Sequence, residues 1–306
     1  MTQPIATVFA GTPDFAVPSL EVLLRRSDIA LRAVYTQPDR PAGRGRRLTA
    51  SPVKRRAEAA GVAVEQPETL RDALALDTFA SHAPELLVVA AYGLLLPDEV
   101  LAVVRYPINV HASLLPRWRG AAPIQRALLA GDGVTGISIM RIVSRLDAGP
   151  VWLRRSCAIE PTETGGSLHD KLACLGAEAL DAALDRLVAG TVGEEPQDEA
   201  EVTYAAKLGA ADRLLDFTAT ASALERRVRA LHPTPGARAR LGKLDVKVLA
   251  ASIAPGQGSP GAILARGAAG IDVATGAGVL RITSLQPPGK QAMDAAAFLN
   301  GYGDLL

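Results

Sequence analysis

Short, continuously apolar runs alternate with amphipathic segments over the first 110 residues of the chain. The runs at 5–10, 29–36, 62–65, 86–91 and 108–110 are rich in Val, Ile, Leu and Ala and read as strands. Segments 18–26, 52–60 and 71–82 instead repeat their apolar residues at helical spacing. A strand that is apolar at every position is covered on both faces, as in a parallel sheet with helices packed above and below it. The pattern therefore predicts an α/β fold built on an open, doubly wound, mostly parallel sheet. Two further strands, 137–143 and 151–159, flank a polar turn. A long amphipathic helix is expected at 167–188, with Ser167 as its N-cap and Gly190 just past its end.

Beyond Gly190 the chain becomes polar and acid-rich, and the crossing to a second domain falls at 202–211. From Gly236 onward the period changes. Five short strands at 237–241, 244–252, 261–265, 270–274 and 278–285, joined by Gly-rich turns without intervening helices, predict a small OB-like β-barrel. The expected domains are residues 1–204 and 205–306.

Composition narrows the class. At 306 residues, 48% hydrophobic and 21% charged, the chain has the makeup of a globular protein long enough for about two domains. Its 12 aromatic residues are few, so the cores are aliphatic. The two cysteines, Cys157 and Cys174, form no CxxC pair, and no secretory leader is evident; reduced thiols in a cytoplasmic protein are expected. The longest apolar run, 86–96, has 11 residues, well short of the ~20 that a membrane helix requires.

The formal net charge of +1 argues against a uniformly basic nucleic-acid protein, but its distribution changes that picture. Residues 207–306 carry 12 Lys and Arg against 7 Asp and Glu, a net of +5, and residues 1–206 carry 21 against 25, a net of −4. Inside the acidic part lies a basic island: Arg40, Arg44, Arg46, Arg47, Lys54, Arg55 and Arg56 include no acid between them.

Candidate chemistry gathers near the end of the first domain's predicted sheet. Asn109 and His111, two apart at the end of an apolar run, project to one face of a strand at its carboxyl end, where open α/β sheets bind ligands. An imidazole can relay a proton, and an Asn amide or imidazolium can donate to a developing oxyanion, a pairing suited to acyl transfer. Asp147 sits in a Leu-Asp-Ala-Gly turn between apolar strands, where a carboxylate can form an acid–base pair with a histidine. Taken singly, Asn-x-His also fits an ordinary strand end, and Asp-x-Gly an ordinary turn. Gly256–Gly261 satisfies GxGxxG literally but joins two predicted strands and opens no helix, so no dinucleotide site is expected. His169 and His232 lack partners at metal-ligand spacing, and no metal is expected.

In order along the chain stand Phe9-Ala-Gly-Thr-Pro-Asp-Phe15, Thr36-Gln-Pro-Asp-Arg-Pro-Ala-Gly-Arg-Gly45, Ala91-Tyr-Gly93, Asn109-Val-His111, Ser113-Leu-Leu-Pro-Arg-Trp-Arg-Gly-Ala-Ala-Pro-Ile124 and Leu146-Asp-Ala-Gly149. Together they resemble the methionyl-tRNA formyltransferases, within the 10-formyltetrahydrofolate-dependent formyltransferase family, over nearly the whole chain. The resemblance implies a Rossmann-like formyltransferase domain followed by an OB-like tRNA-binding domain. It implies transfer of a formyl group from 10-formyltetrahydrofolate to the α-amine of methionyl-initiator tRNA, by a monomer. Residue by residue, it places the catalytic trio on Asn109, His111 and Asp147 and folate binding on Ser113, Leu114, Leu115 and Pro116 together with Ala91, Tyr92 and Gly93. The basic loop would contact the tRNA acceptor stem through Arg40, Arg44, Arg46 and Arg47. Thr234 stands where the family usually has a Trp, and Arg145 and Ala148 depart from its pattern beside Asp147. Two alternatives stay open: a formyltransferase of the same fold acting on an amino sugar nucleotide or glycinamide ribotide, and a non-catalytic RNA-binding protein. The basic loop and the basic second domain favour tRNA over the first, and the intact trio opposes the second.

Overall fold

The computed structural model describes residues 3–42 and 47–306, and their contacts divide into two compact units. One runs to Gly120 and takes in 135–157 and 169–204; the other comprises 121–134, 158–168 and 205–306.

The first unit is organised around a seven-stranded sheet. In spatial order its strands are Val151–Ala158, Val134–Arg141, Tyr106–His111, Leu86–Ala90, Ile5–Gly11, Ile29–Tyr35 and Val64–Glu65. The last five run parallel to one another, whereas Val134–Arg141 pairs antiparallel with Tyr106–His111, pairing Asn109 with Met140 and His111 with Ser138. Leu86–Ala90 is buried at every position, as its unbroken apolar run predicts. On one face Val8, Ala10, Ala33, Tyr35, Leu87 and Val89 pack with Phe79, Val100 and Val104, which come from the helices Ala73–Ser81 and Asp98–Ala102 and their flank. The other face meets the long helix Gly165–Val188 at Gly176, where a Cβ would lie 3.0 Å from Val110 Cγ1 and a larger residue would force the helix outward.

The long helix starts earlier than its sequence suggests. Thr164, not Ser167, is the N-cap: the Ser167 N–H donates to Thr164 Oγ1 at 3.1 Å and the Thr164 N–H donates to Ser167 Oγ at 3.0 Å. This is a reciprocal capping box with Ser at its third helical position. Gly165 and Gly166 weaken the helical signal ahead of Ser167 and displace the expected start. At the other end Gly190, at φ +67°, closes the helix with the Thr191 N–H bonded to the Arg186 carbonyl and the Gly190 N–H to that of Leu187.

The second unit carries an antiparallel sheet in the order Ala237–Leu241, Leu244–Ala254, Val279–Gln286, Gly270–Ala274, Ile263–Gly267, with Met293–Asp294 added beside Val279–Gln286. The first five are the strands expected from the change of period, and Met293–Asp294 is an addition to them. Helices packed on this sheet are not expected from the change of period. Ala221–Leu231 lays Leu224, Val228 and Leu231 on the sheet's core, and Ala295–Tyr302 contributes Phe298. No helix among the described residues is long and apolar enough to cross a membrane.

Candidate active site

Asn109 and His111 lie on one face of the Tyr106–His111 strand. Register pairs Asn109 with Val89 of the neighbouring parallel strand, so both side chains sit where two parallel strands reach their carboxyl ends. His111 is only 5% exposed, and its two ring nitrogens have separate surroundings. Nε2 lies 2.9 Å from the carbonyl oxygen of Trp118. A carbonyl can only accept, so Nε2 carries the hydrogen. Nδ1 faces Asp147, with Oδ2 at 3.6 Å. Residues 36 positions apart in sequence, His111 and Asp147, are thus brought face to face.

Asp147 is held in an unusual backbone conformation, φ +46°, in the left-handed region that non-glycine residues rarely adopt. Its Oδ2 accepts the Gly120 N–H at 2.8 Å. Two residues on, Gly149 is obligatory, because a Cβ there would come within 1.9 Å of the Arg141 carbonyl oxygen. The turn is further gripped by Gln197, whose Nε2 donates to the carbonyls of Asp147 at 2.8 Å and Gly149 at 2.7 Å. Gln197 lies in the polar, acid-rich stretch beyond Gly190, where no sequence pattern marks a role for it. Its Oε1 accepts from Arg119 Nε at 2.9 Å, and Arg119, 1% exposed, also pairs with Glu199 at 3.0 Å. Arg145 reaches the same carboxylate at 2.6 Å, and the two guanidinium groups hold Glu199 below the usual carboxylate range.

The loop carrying Trp118 is fixed by its own polar groups. Ser113 Oγ donates to the Arg117 carbonyl at 2.6 Å; Ser138 Oγ donates to the Ser113 carbonyl at 2.7 Å and accepts the Leu115 N–H at 3.0 Å. Trp118, at φ +64°, donates its N–H to Thr203 Oγ1 at 2.9 Å, with the Arg117 guanidinium 4.4 Å from its ring centre. Ser113 is a buried support of the loop, whereas Leu115, also buried, and the half-buried Leu114 and Pro116 line, with Arg117 and Arg154, a cavity of about 530 Å³. Asn109, His111 and Asp147 are not among that cavity's walls.

Ala91, Tyr92 and Gly93 follow the Leu86–Ala90 strand at the same sheet edge as His111. Ala91 and Gly93 both have positive φ, +46° and +82°. The turn is tied down through the Tyr92 carbonyl, which accepts from Thr12 Oγ1 at 2.9 Å and Gln37 Nε2 at 3.1 Å. The Tyr92 ring itself points into the core, and burial pushes its phenol above the ordinary range. This turn can therefore meet a ligand with backbone and with Gly93, not with the tyrosine side chain.

Of the four arginines expected to contact RNA, Arg44 and Arg46 lie outside the described residues. Arg40 is exposed on Arg40–Ala42, which pairs antiparallel with Arg47–Thr49, and the backbone of Arg47 opposes Ala42. Among the described residues no group of three His, Cys, Asp or Glu side chains is arranged to hold a metal ion.

Comparison with known proteins accords with this geometry. The formyl transferase family model matches residues 4–184, and the model of the formyl transferase C-terminal domain matches 207–303. The chain is 54% identical over 297 residues to the methionyl-tRNA formyltransferase of Halorhodospira halophila, spanning 96% of this chain and 95% of that one. It is 48% identical over 306 residues to that of Stutzerimonas stutzeri, spanning 100% and 95%. Among solved structures, an N-formyltransferase from Helicobacter canadensis, in complex with folinic acid and dTDP-3-aminofucose, shares the fold with a TM-score of 0.69 at 15% identity, over 94% of this chain and 100% of that one. HypX from Aquifex aeolicus, in complex with tetrahydrofolic acid, does so with a TM-score of 0.65 at 17% identity, over 97% of this chain and 47% of the longer HypX chain. At identity near one half over almost its whole length, and with both family models matched, this chain belongs to the methionyl-tRNA formyltransferase family.

Proposed function

We propose that the protein transfers the formyl group of 10-formyltetrahydrofolate to the α-amine of methionine esterified to initiator tRNA. The observation that carries this reading is that His111 faces Asp147, with Asn109 two residues away on the same strand face, at the carboxyl end of the sheet in a chain of this family. An α-amine of pKa ~8 is in part neutral at pH 7, so attack on the formyl carbon needs no strong base. As the new C–N bond forms, the formyl oxygen becomes anionic. The Asn109 amide is one donor to it. His111 supplies the other only as the imidazolium, through an Nδ1–H shared with the Asp147 carboxylate, because its Nε2–H is committed to the Trp118 carbonyl. The carboxylate of Asp147 holds the Nδ1 side of that ring and takes the ammonium proton. That proton passes, directly or through water, to N10 of the folate as the C–N10 bond breaks, leaving tetrahydrofolate and formylated methionyl-tRNA.

The turn at Ala91, Tyr92 and Gly93 fits the folate ring system, since its backbone is rigid and open at Gly93, and Ser113, Leu114, Leu115 and Pro116 shape the adjoining wall. Arg40, Arg44, Arg46 and Arg47 are assigned to the acceptor stem and the basic residues of 205–306 to the rest of the RNA contact, where phosphate charge rather than sequence supplies the attraction. The same reading gives residues 1–204 formyl transfer and 205–306 tRNA binding, in a monomeric cytoplasmic enzyme. The deciding assay offers radiolabelled 10-formyltetrahydrofolate with methionine-charged initiator tRNA, charged elongator tRNA, an amino sugar nucleotide or glycinamide ribotide. Label on the initiator is expected; label on neither tRNA, or only on a small amine, overturns the reading.

A further inference from the structure

The turn that carries Asp147 has little apolar support. Residues 143–146 before it are exposed, Leu146 to 61%, so no apolar burial holds the turn, and Asp147 itself occupies the left-handed region, which non-glycine residues rarely adopt. What keeps the carboxylate facing His111 is polar. The Gly120 N–H fixes its side chain at 2.8 Å, and the carbonyls of Asp147 and Gly149 both receive hydrogen bonds from one atom, Gln197 Nε2. With both amide hydrogens spent in this way, the carbonyl end of the same amide must find a donor, and Arg119 Nε provides it at 2.9 Å. Arg119 in turn is locked by burial and by Glu199 at 3.0 Å. Its neighbour in sequence is Gly120, so one short segment steadies the aspartate twice: through its own backbone to the side chain, and through Gln197 to the turn.

We infer that Gln197, seated on Arg119, is a positioning residue for formyl transfer: it holds Asp147 against His111 without touching substrate. The inference rests on the functional reading above. Any group that donates only once, or not at all, at position 197 leaves one or both turn carbonyls unanswered and lets the carboxylate drift. A shift of about 1 Å in a catalytic group is enough to lower a rate by about 100-fold.

Two substitutions test it. Gln197→Met keeps the volume and removes both donors; Gln197→Glu keeps the Arg119 contact and replaces the donors with an acceptor. Both should fold, since Gln197 is half-exposed on a loop, and the far-ultraviolet circular dichroism spectrum checks this. The expected result is a kcat lowered by about 10- to 100-fold in each, with KM for 10-formyltetrahydrofolate and for charged tRNA within about twofold of the unsubstituted enzyme. In an Asp147→Asn background, measured by single turnover, Gln197→Met should add less than about twofold, because a residue that acts through Asp147 has nothing left to position. An unchanged kcat in both variants, a loss expressed in KM, or a full loss repeated in the Asp147→Asn background overturns the inference while the unsubstituted chain still formylates initiator tRNA. Failure of the unsubstituted chain to formylate overturns the functional reading and this inference with it.

Discussion

His111 illustrates how a single residue's role depends on which of its two nitrogens is free. With Nε2 donating to the Trp118 carbonyl, only Nδ1 remains for chemistry, and it is directed at Asp147. Removing one oxyanion donor commonly costs ~3 kcal/mol, so Asn109→Ala and His111→Ala should each lower kcat at least ~100-fold, read by single-turnover formylation; near-normal turnover in either would remove that residue from the mechanism. These two residues were legible in the sequence because a strand's period of two puts them on one face whatever the rest of the molecule does. Asp147 was legible as a candidate carboxylate on a turn, but its pairing with His111 came only through the resemblance, since nothing in a Leu-Asp-Ala-Gly turn states what it faces. Gln197 was not legible at all: an amide is equally at home in any solvated loop, and its importance comes from two carbonyls about 50 residues away in sequence.

At the scale of elements, termini and connections decided what the periodicity could not. The reciprocal bonds between Thr164 and Ser167 make Thr164 the cap of the long helix. Thr164→Ala should destabilise the protein by about 1 kcal/mol, a fall of roughly 2–4 °C in Tm by calorimetry. A second tie joins the helix Val17–Arg25 to this one within the first unit. Arg26, immediately past that short helix, grips Asp28 with Nε at 2.9 Å and Nη2 at 2.7 Å, and reaches Asp181 at 2.7 Å and Asp185 at 2.8 Å with Nη1. The guanidinium lowers the Asp28 carboxyl below its usual value, which sets the sign of the pH dependence. The stabilisation is complete above the ordinary Asp range near pH 4 and disappears as pH falls through the depressed folded value. Arg26→Leu should therefore lower stability by about 1–2 kcal/mol at pH 7, and the gap between variant and parent should close as pH falls through the depressed Asp28 value, as urea unfolding across pH would register. The helix Pro123–Ala130 begins with Pro at its first position and ends on Gly131 at φ +79°, but eight residues between signals of that kind are too few for period alone to establish.

For the molecule as a whole, the distribution of charge matters more than its sum. A neutral total conceals a −4 stretch over 1–206, which itself contains the basic island, and a +5 stretch over 207–306. Binding to RNA depends on cations that neutralise phosphates and release counterions, so its salt dependence counts those contacts. Arg44→Ala should weaken formylation of charged tRNA, flatten the log–log salt slope by about 1 and leave KM for 10-formyltetrahydrofolate unaltered. Arg238 and Lys247, paired across neighbouring strands of the second unit's sheet, offer the parallel test: replacing both with Ala should flatten the slope by about 2. Equal losses in tRNA and folate binding would indicate misfolding instead.

The sequence by itself determined the two sheet types, the parallel strands, most of the strands of the second unit, the family and the pair Asn109 and His111. All of these follow from local periodicity or from contiguous motifs, which survive reading in one dimension. The tertiary structure alone decided that Asp147 faces Nδ1 rather than Nε2, that Arg119 is buried, and that Gln197 and Gly120 together hold the carboxylate in place. Such hydrogen bonds join residues far apart in the chain, and their partners are chosen by geometry only once the sheet has brought those segments together.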